Sequence, residues 1–225
     1  MIFGEKNLVI AAHPDDEVLG VGGTIPLILR DGGKVDVLIV TDGSTSQYDN
    51  SESFLLKKRE ETKNALKKLG INEFTQWSFP DMKLDSIPHV KLNKELEKFI
   101  RSNEYDTVFC QDCGDINLDH RMLYQSVEVA VRPYPKQTVK RFLTYYVNSS
   151  SEWGGILSSS SFSPNVFVNI ENTIDLKLSS MLEYKTELRD YPHPRSIESL
   201  KISASYFGNM VGYLFAEPFR LIFSR

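Results

Sequence analysis

The stretch Leu8-Val9-Ile10-Ala11-Ala12-His13-Pro14-Asp15-Asp16-Glu17 decides how this chain is read. Its first five residues form an unbroken apolar run, the pattern of a strand buried on both faces of a parallel sheet. The next residues put an imidazole beside two adjacent carboxylates on a loop that Pro14 stiffens. In open parallel sheets, ligands bind beyond the carboxyl ends of the strands, so this cluster falls where chemistry is expected. Crowding three ionisable groups at a strand end is unfavourable unless something cationic neutralises the acids. A plainer role is open as well: Asp15 or Asp16 can act as N-cap of the helix that follows.

Working outward, the same alternation recurs. Helical patterning over 17–30 ends at Asp31-Gly32-Gly33, and Val35–Val40 reads as a second strand. An amphipathic helix over 53–69 stops at Gly70, and strands follow at 74–79 and 107–110, with a helix over 90–100 between them. A helix over 119–131, strands at 141–147 and 166–170, and helices over 172–189 and 197–207 complete the pattern. Strand alternating with helix implies an α/β fold with a mostly parallel sheet and helices on both faces. The serine-rich stretch 149–163 reads as a flexible loop, because small polar side chains offer little to a core. Patterning resumes after it, so residues 1–225 are read as one domain.

A second polar cluster, Asp115-Ile116-Asn117-Leu118-Asp119-His120-Arg121, follows the fourth strand and leads into a helix. Where strand order reverses, the first and fourth strands lie side by side, and their loops converge. His13, Asp16 and His120 then supply two nitrogen donors and one oxygen donor. That set suits Zn2+, and one position left for solvent is the arrangement of a catalytic site.

With these residues in hand, the chain resembles the PIG-L / LmbE-like deacetylases. The likeness rests on the signature from Ala11 to Ile25 around His13-Pro14-Asp15-Asp16, and on Arg59-Glu60-Glu61 with Ala65 to Gly70. It extends through Pro80-Asp81, Asp119-His120-Arg121 and Ala216-Glu217-Pro218-Phe219. The resemblance implies a Rossmann-like fold and hydrolysis of an acetyl group from an N-acetyl amino sugar conjugate. It further implies His13, Asp16 and His120 as zinc ligands, Asp15 as general base, and Arg59 and Asp81 near the sugar. Asp119 is a candidate to orient His120 from behind. One departure matters: many members carry a histidine where this chain has Asn117. An amide can donate to an oxyanion but cannot supply a proton. His193, between Pro192 and Pro194, is therefore the candidate acid for the leaving amine. Family members often assemble, so a homo-oligomer is possible.

Other classes are weaker. The net charge of −4 gives no general basic surface for nucleic acid or anionic lipid. No run of about 18 apolar residues reads as a membrane span, and the first ten residues do not read as a signal peptide. Two cysteines, Cys110 and Cys113, make no disulfide framework, which points to a reducing cytoplasm. A nucleotide-binding Rossmann domain is the nearest structural rival, but Gly20-Val21-Gly22-Gly23 comes too late for the first turn, and Asp15 and Asp16 would repel a pyrophosphate. A metal-dependent amidase acting on a non-sugar amide is the remaining alternative.

Overall fold

The computed structural model describes residues 3–44, 52–157 and 161–225. Strands β1 (Lys6–Ala11), β2 (Lys34–Thr41), β3 (Thr75–Phe79), β4 (Thr107–Gln111), β5 (Arg141–Tyr145), β6 (Val166–Asn169) and β7 (Ala216–Ser224) form one sheet. Their order is β3-β2-β1-β4-β5-β7-β6. The first five strands are parallel, and β7 runs antiparallel to both its neighbours. The helices are α1 (Asp16–Val21), α2 (Thr24–Arg30), α3 (Glu52–Lys68), α4 (His89–Asn103), α5 (Leu118–Val131), α6 (Ser151–Leu157), α7 (Ile174–Met181) and α8 (Ile197–Asn209).

Alternation along β1 explains why the sheet is covered on both sides. Val9 and Ala11 belong to a core with α1, α2, α3, α7 and α8, whereas Leu8, Ile10 and Ala12 belong to one with α4 and α5. A strand with two apolar faces must be sandwiched, since side chains alternate across it. The α/β class with helices on both faces is what the sequence predicts.

Four local expectations change. The helix expected over 17–30 is two helices, broken at Gly22-Gly23. Pro26 cannot donate a backbone hydrogen bond to Gly22, and the Glu217 carboxylate accepts from the backbone N–H groups of Gly23 and Thr24, each at 2.8 Å. The helix expected over 172–189 stops at Met181. The chain then turns, sending Tyr184 to Glu17 and Glu187 toward Lys58. The stretch 149–163 is not wholly loop, because α6 begins at Ser151; its residues 158–160 lie outside the described ones. Ser150 and Ser151 anchor it by donating to Asp115 Oδ2, both at 2.8 Å, so small polar side chains here bind by hydrogen bonds instead of by area. Close backbone packing adds to this: a Cβ on Gly154 would lie 1.8 Å from the Gly114 carbonyl oxygen. Finally, β7 was not expected as a strand at all. It closes the sheet by pairing with β5 and β6.

Candidate active site

β1 pairs with β4 over Asn7–Val9 and Thr107–Phe109, so strand order reverses between them. The loops leaving both strands therefore open into one crevice. A cleft sits there, lined by His13, Asp15, Asp16, Asp81, Asn117 and His120 among others.

Three donors face one another. His13 Nδ1 lies 3.2 Å from His120 Nε2, and Asp16 Oδ2 lies 3.3 Å from each. A tetrahedral ion with ligand bonds of about 2.0–2.1 Å has donor-to-donor edges of roughly 3.3–3.4 Å. The triangle matches that spacing. Asp16 is held in place as an acceptor, because Oδ2 takes the His13 backbone N–H and the Gln111 amide, both at 2.8 Å.

The outer ring nitrogens decide the tautomers. His13 Nε2 lies 3.2 Å from Asp119 Oδ2 and 3.5 Å from Asp81 Oδ1. His120 Nδ1 lies 3.1 Å from Asp115 Oδ2. An ionised carboxylate only accepts, so each outer nitrogen carries the hydrogen and each inner one presents a lone pair. Two lone pairs and a carboxylate oxygen at 3.2–3.3 Å repel unless a cation lies among them. The acid–base balance of these groups expresses the same demand. Burial pulls both imidazoles down, yet the surrounding acids prevail: Asp119 and Asp16 raise His13 well above its ordinary value, and Asp16 and Asp115 raise His120 to about 9. Burial opposes ionisation of Asp16, but His120 and His13 hold its carboxyl far below the usual range. Protons are drawn in where a cation fits.

Asp15 faces a different set of partners. It stands at the N-cap position of α1, yet its side chain makes no capping bond, so capping does not explain the acids. Its backbone adopts φ 116°, a region that disfavours side-chain-bearing residues. Three of the four non-glycine residues with positive φ among those described, Asp15, Met82 and Ser149, line this one cleft. Such conformations are unfavourable by about 1–3 kcal/mol each and collect at functional sites. Burial, with Glu187 and Asp16 nearby, raises the Asp15 carboxyl well above its usual range, while Arg195 and Lys58 pull it back.

The structure brings together His13, Asp15, Asp16, Asp81, Asn117 and His120 from the sequence-based set. Asn117 caps α5 through Oδ1, which accepts from Asp119 N–H at 2.9 Å, and its Nδ2 lies 3.7 Å from Met82 Sδ. Three residues stand apart from the expected arrangement. Asp119 contacts His13, and it is Asp115 that supports His120. Arg59 is exposed on α3 and lines a neighbouring groove with Trp77; the buried Lys58 lines the cleft in its place. His193 Nδ1 accepts the Arg195 backbone N–H at 3.1 Å, and Arg195 is the residue of that loop that lines the cleft. Lys58, Asp115, Glu187 and Arg195 were not foreseen. Asp115 opens the second polar cluster of the sequence, and Lys58 begins the buried stripe Lys58, Thr62, Ala65, Leu66 and Leu69 at helical spacing; Glu187 and Arg195 have no comparable trace.

Known proteins resemble this chain in sequence and in fold. A family profile described as PIG-L, GlcNAc-PI de-N-acetylase, matches residues 8–131. The diacetylchitobiose deacetylase of Thermococcus kodakarensis is 27% identical over 97% of this chain and 83% of its own length. The solved N,N'-diacetylchitobiose deacetylase of Pyrococcus horikoshii superposes with a TM-score of 0.80 at 23% identity, covering 97% of this chain and 84% of that one. The same fold holds GalB, the 4-carboxy-2-hydroxymuconate hydratase from a Pseudomonas, with a TM-score of 0.75 at 18% identity over 99% and 98% of the two chains.

Proposed function

The chain belongs to the PIG-L, GlcNAc-PI de-N-acetylase, family, and from that premise we propose that it hydrolyses the N-acetyl group of an amino sugar or its conjugate with the help of zinc. The fold alone does not choose the reaction, since a hydratase shares it. One observation carries the reading: a triangle of donors at 3.2–3.3 Å stands beside a second carboxylate, Asp15, in a single cleft.

Zinc held by His13, Asp16 and His120 would supply Lewis acidity, lowering the pKa of a water to about 7 and favouring charge on an acetyl oxygen. The protein's own groups handle protons and orientation. Asp15 takes the proton of the water as its oxygen attacks the acetyl carbon. Asn117 has its oxygen committed to the helix cap, so its amide N–H2 is the end available to the oxygen that gains charge. The C–N bond breaks as Asp15 returns that proton to the amine nitrogen, releasing acetate and the free amino sugar. Assigning the return to Asp15 instead of His193 follows from which of them lines the cleft. Asp81, which lines the cleft beside His13, accepts from a sugar hydroxyl in this reading. Asp115 and Asp119 keep both imidazoles in the metal-binding tautomer.

The test is acetate release from a panel of N-acetylglucosamine conjugates by protein stripped with a chelator and then reloaded with zinc. Stripped protein should be inactive, and zinc should restore turnover. Undiminished activity after stripping, or none from any conjugate after reloading, defeats the proposal.

A further inference from the structure

Four charged side chains from distant segments meet along one wall of the cleft. Lys58 Nζ from α3 bonds Glu187 Oε1, and Arg195 Nη1 lies 2.7 Å from Glu187 Oε2. The same Arg195 nitrogen lies 3.5 Å from Asp15 Oδ2, an ionic contact at the edge of hydrogen-bond range. The signs alternate along Lys58, Glu187, Arg195 and Asp15. The side chains of Lys58, Glu187 and Asp15 are 2–5% exposed and that of Arg195 is 22% exposed. All four line the cleft.

Hydrolysis as described uses only Asp15 of these four. Stability does not account for the others, because an apolar wall of equal volume is often as stable as a buried ion network. Two features point to a mechanical role. Arg195 immediately precedes Ser196, whose hydroxyl accepts the Ser199 N–H at 3.1 Å and caps α8, so the guanidinium issues from a fixed helix start. Asp15, which it meets, sits at φ 116°, a conformation that relaxes unless its surroundings hold it.

We propose that Arg195 is the positioning residue for Asp15. Lys58 fixes Glu187, Glu187 fixes the guanidinium, and the guanidinium holds Asp15 Oδ2, leaving Oδ1 for proton transfer. The inference rests on the deacetylase reading for its assay.

Replacing Arg195→Ala in zinc-loaded protein should lower kcat about 30- to 100-fold, because a misplacement of about 1 Å at a reacting group has effects of that size. KM should stay within about threefold, and bound zinc should match the wild type. Arg195→Lys, which retains the charge but has no planar fork, should fall between the two. A raised KM at constant kcat would make Arg195 a substrate anchor and overturn the proposal, as would an unchanged kcat. Should the alanine variant not fold, Arg195→Lys decides: a several-fold lower kcat at constant KM supports positioning, and wild-type kcat refutes it. If the wild-type protein releases no acetate from any N-acetyl sugar, it is the deacetylase reading that has failed. The ladder is then judged by denaturation midpoints in a cycle of Asp15→Asn with Arg195→Ala, where additive shifts refute coupling and non-additive shifts support it.

Discussion

Asp15 and Asp16 are neighbours in the chain and serve two different walls of the cleft, each with its own partners. Asp16 completes a wall of two imidazole nitrogens and a carboxylate oxygen, in which the outer ring nitrogens point toward Asp115 and Asp119. Asp15 ends a wall in which each charge already has an opposite partner. The first wall is incomplete without a cation from outside, while the second neutralises itself. The contrast separates binding an ion from holding a base, although only one peptide bond divides the two carboxylates.

The sharpest way to break the contrast is to remove a donor from the first wall. His120→Ala should reduce bound zinc to near zero and activity by at least about a thousandfold, since two donors leave a small ion poorly held and the Lewis acid is lost. Metal analysis beside the acetate assay checks it; near-stoichiometric zinc in that variant would show the triangle is not the site. On the second wall, Asp15→Asn should keep zinc at the wild-type ratio and lower kcat by about two to four orders of magnitude. Zinc loss in Asp15→Asn would mean that the walls do not divide the work.

A smaller effect concerns protons. In the metal-free protein, burial lowers the His120 pKa but Asp16 and Asp115 carry it up to about 9. Below that pH the ring holds a proton that an arriving ion must displace. Apparent zinc affinity should therefore climb with pH through about 9, the likewise raised His13 adding to the slope, with proton release seen by calorimetry in buffers of different ionisation enthalpy. A flat profile between pH 6 and 9 would contradict the assigned donors. Asp115→Asn should weaken zinc binding about 10- to 100-fold, because it removes the negative charge behind His120.

The two walls were unequally legible in the sequence. The acceptor wall comes from two short segments, each directly after a predicted strand, so local pattern and sheet topology sufficed to place His13, Asp16 and His120 together. The ladder draws one residue each from 15, 58, 187 and 195, and no local pattern joins them. The same distinction governs the fold. Strands β1 to β6 follow from their local pattern and bounding turns, whereas in β7 the apolar run Phe219-Arg220-Leu221-Ile222-Phe223 is short and follows Pro218, a residue that argues against a strand interior, so pairing with β5 and β6 decides it. Serines 150 and 151 looked like loop because a hydroxyl adds little apolar area, and their anchoring to Asp115 is visible only in three dimensions.

The smallest effect separates two adjacent residues of α3. Lys58 and Arg59 are both cationic, and the resemblance to known deacetylases pointed to Arg59. Successive helix positions turn by about 100°, so the two cannot share a face. Lys58 falls on the stripe with Thr62, Ala65 and Leu66 and is buried in the cleft wall, while Arg59 is exposed over the groove beside Trp77. Arg59→Ala should therefore change kcat and KM by no more than about twofold, as befits an exposed side chain outside the cleft. Lys58→Met, which removes the Lys58–Glu187 bond, should lower kcat several-fold by loosening the guanidinium that faces Asp15. Steady-state kinetics on the pair decides the matter: a large loss in Arg59→Ala with little in Lys58→Met would place the functional cation on the outer face of the helix and detach α3 from the ladder.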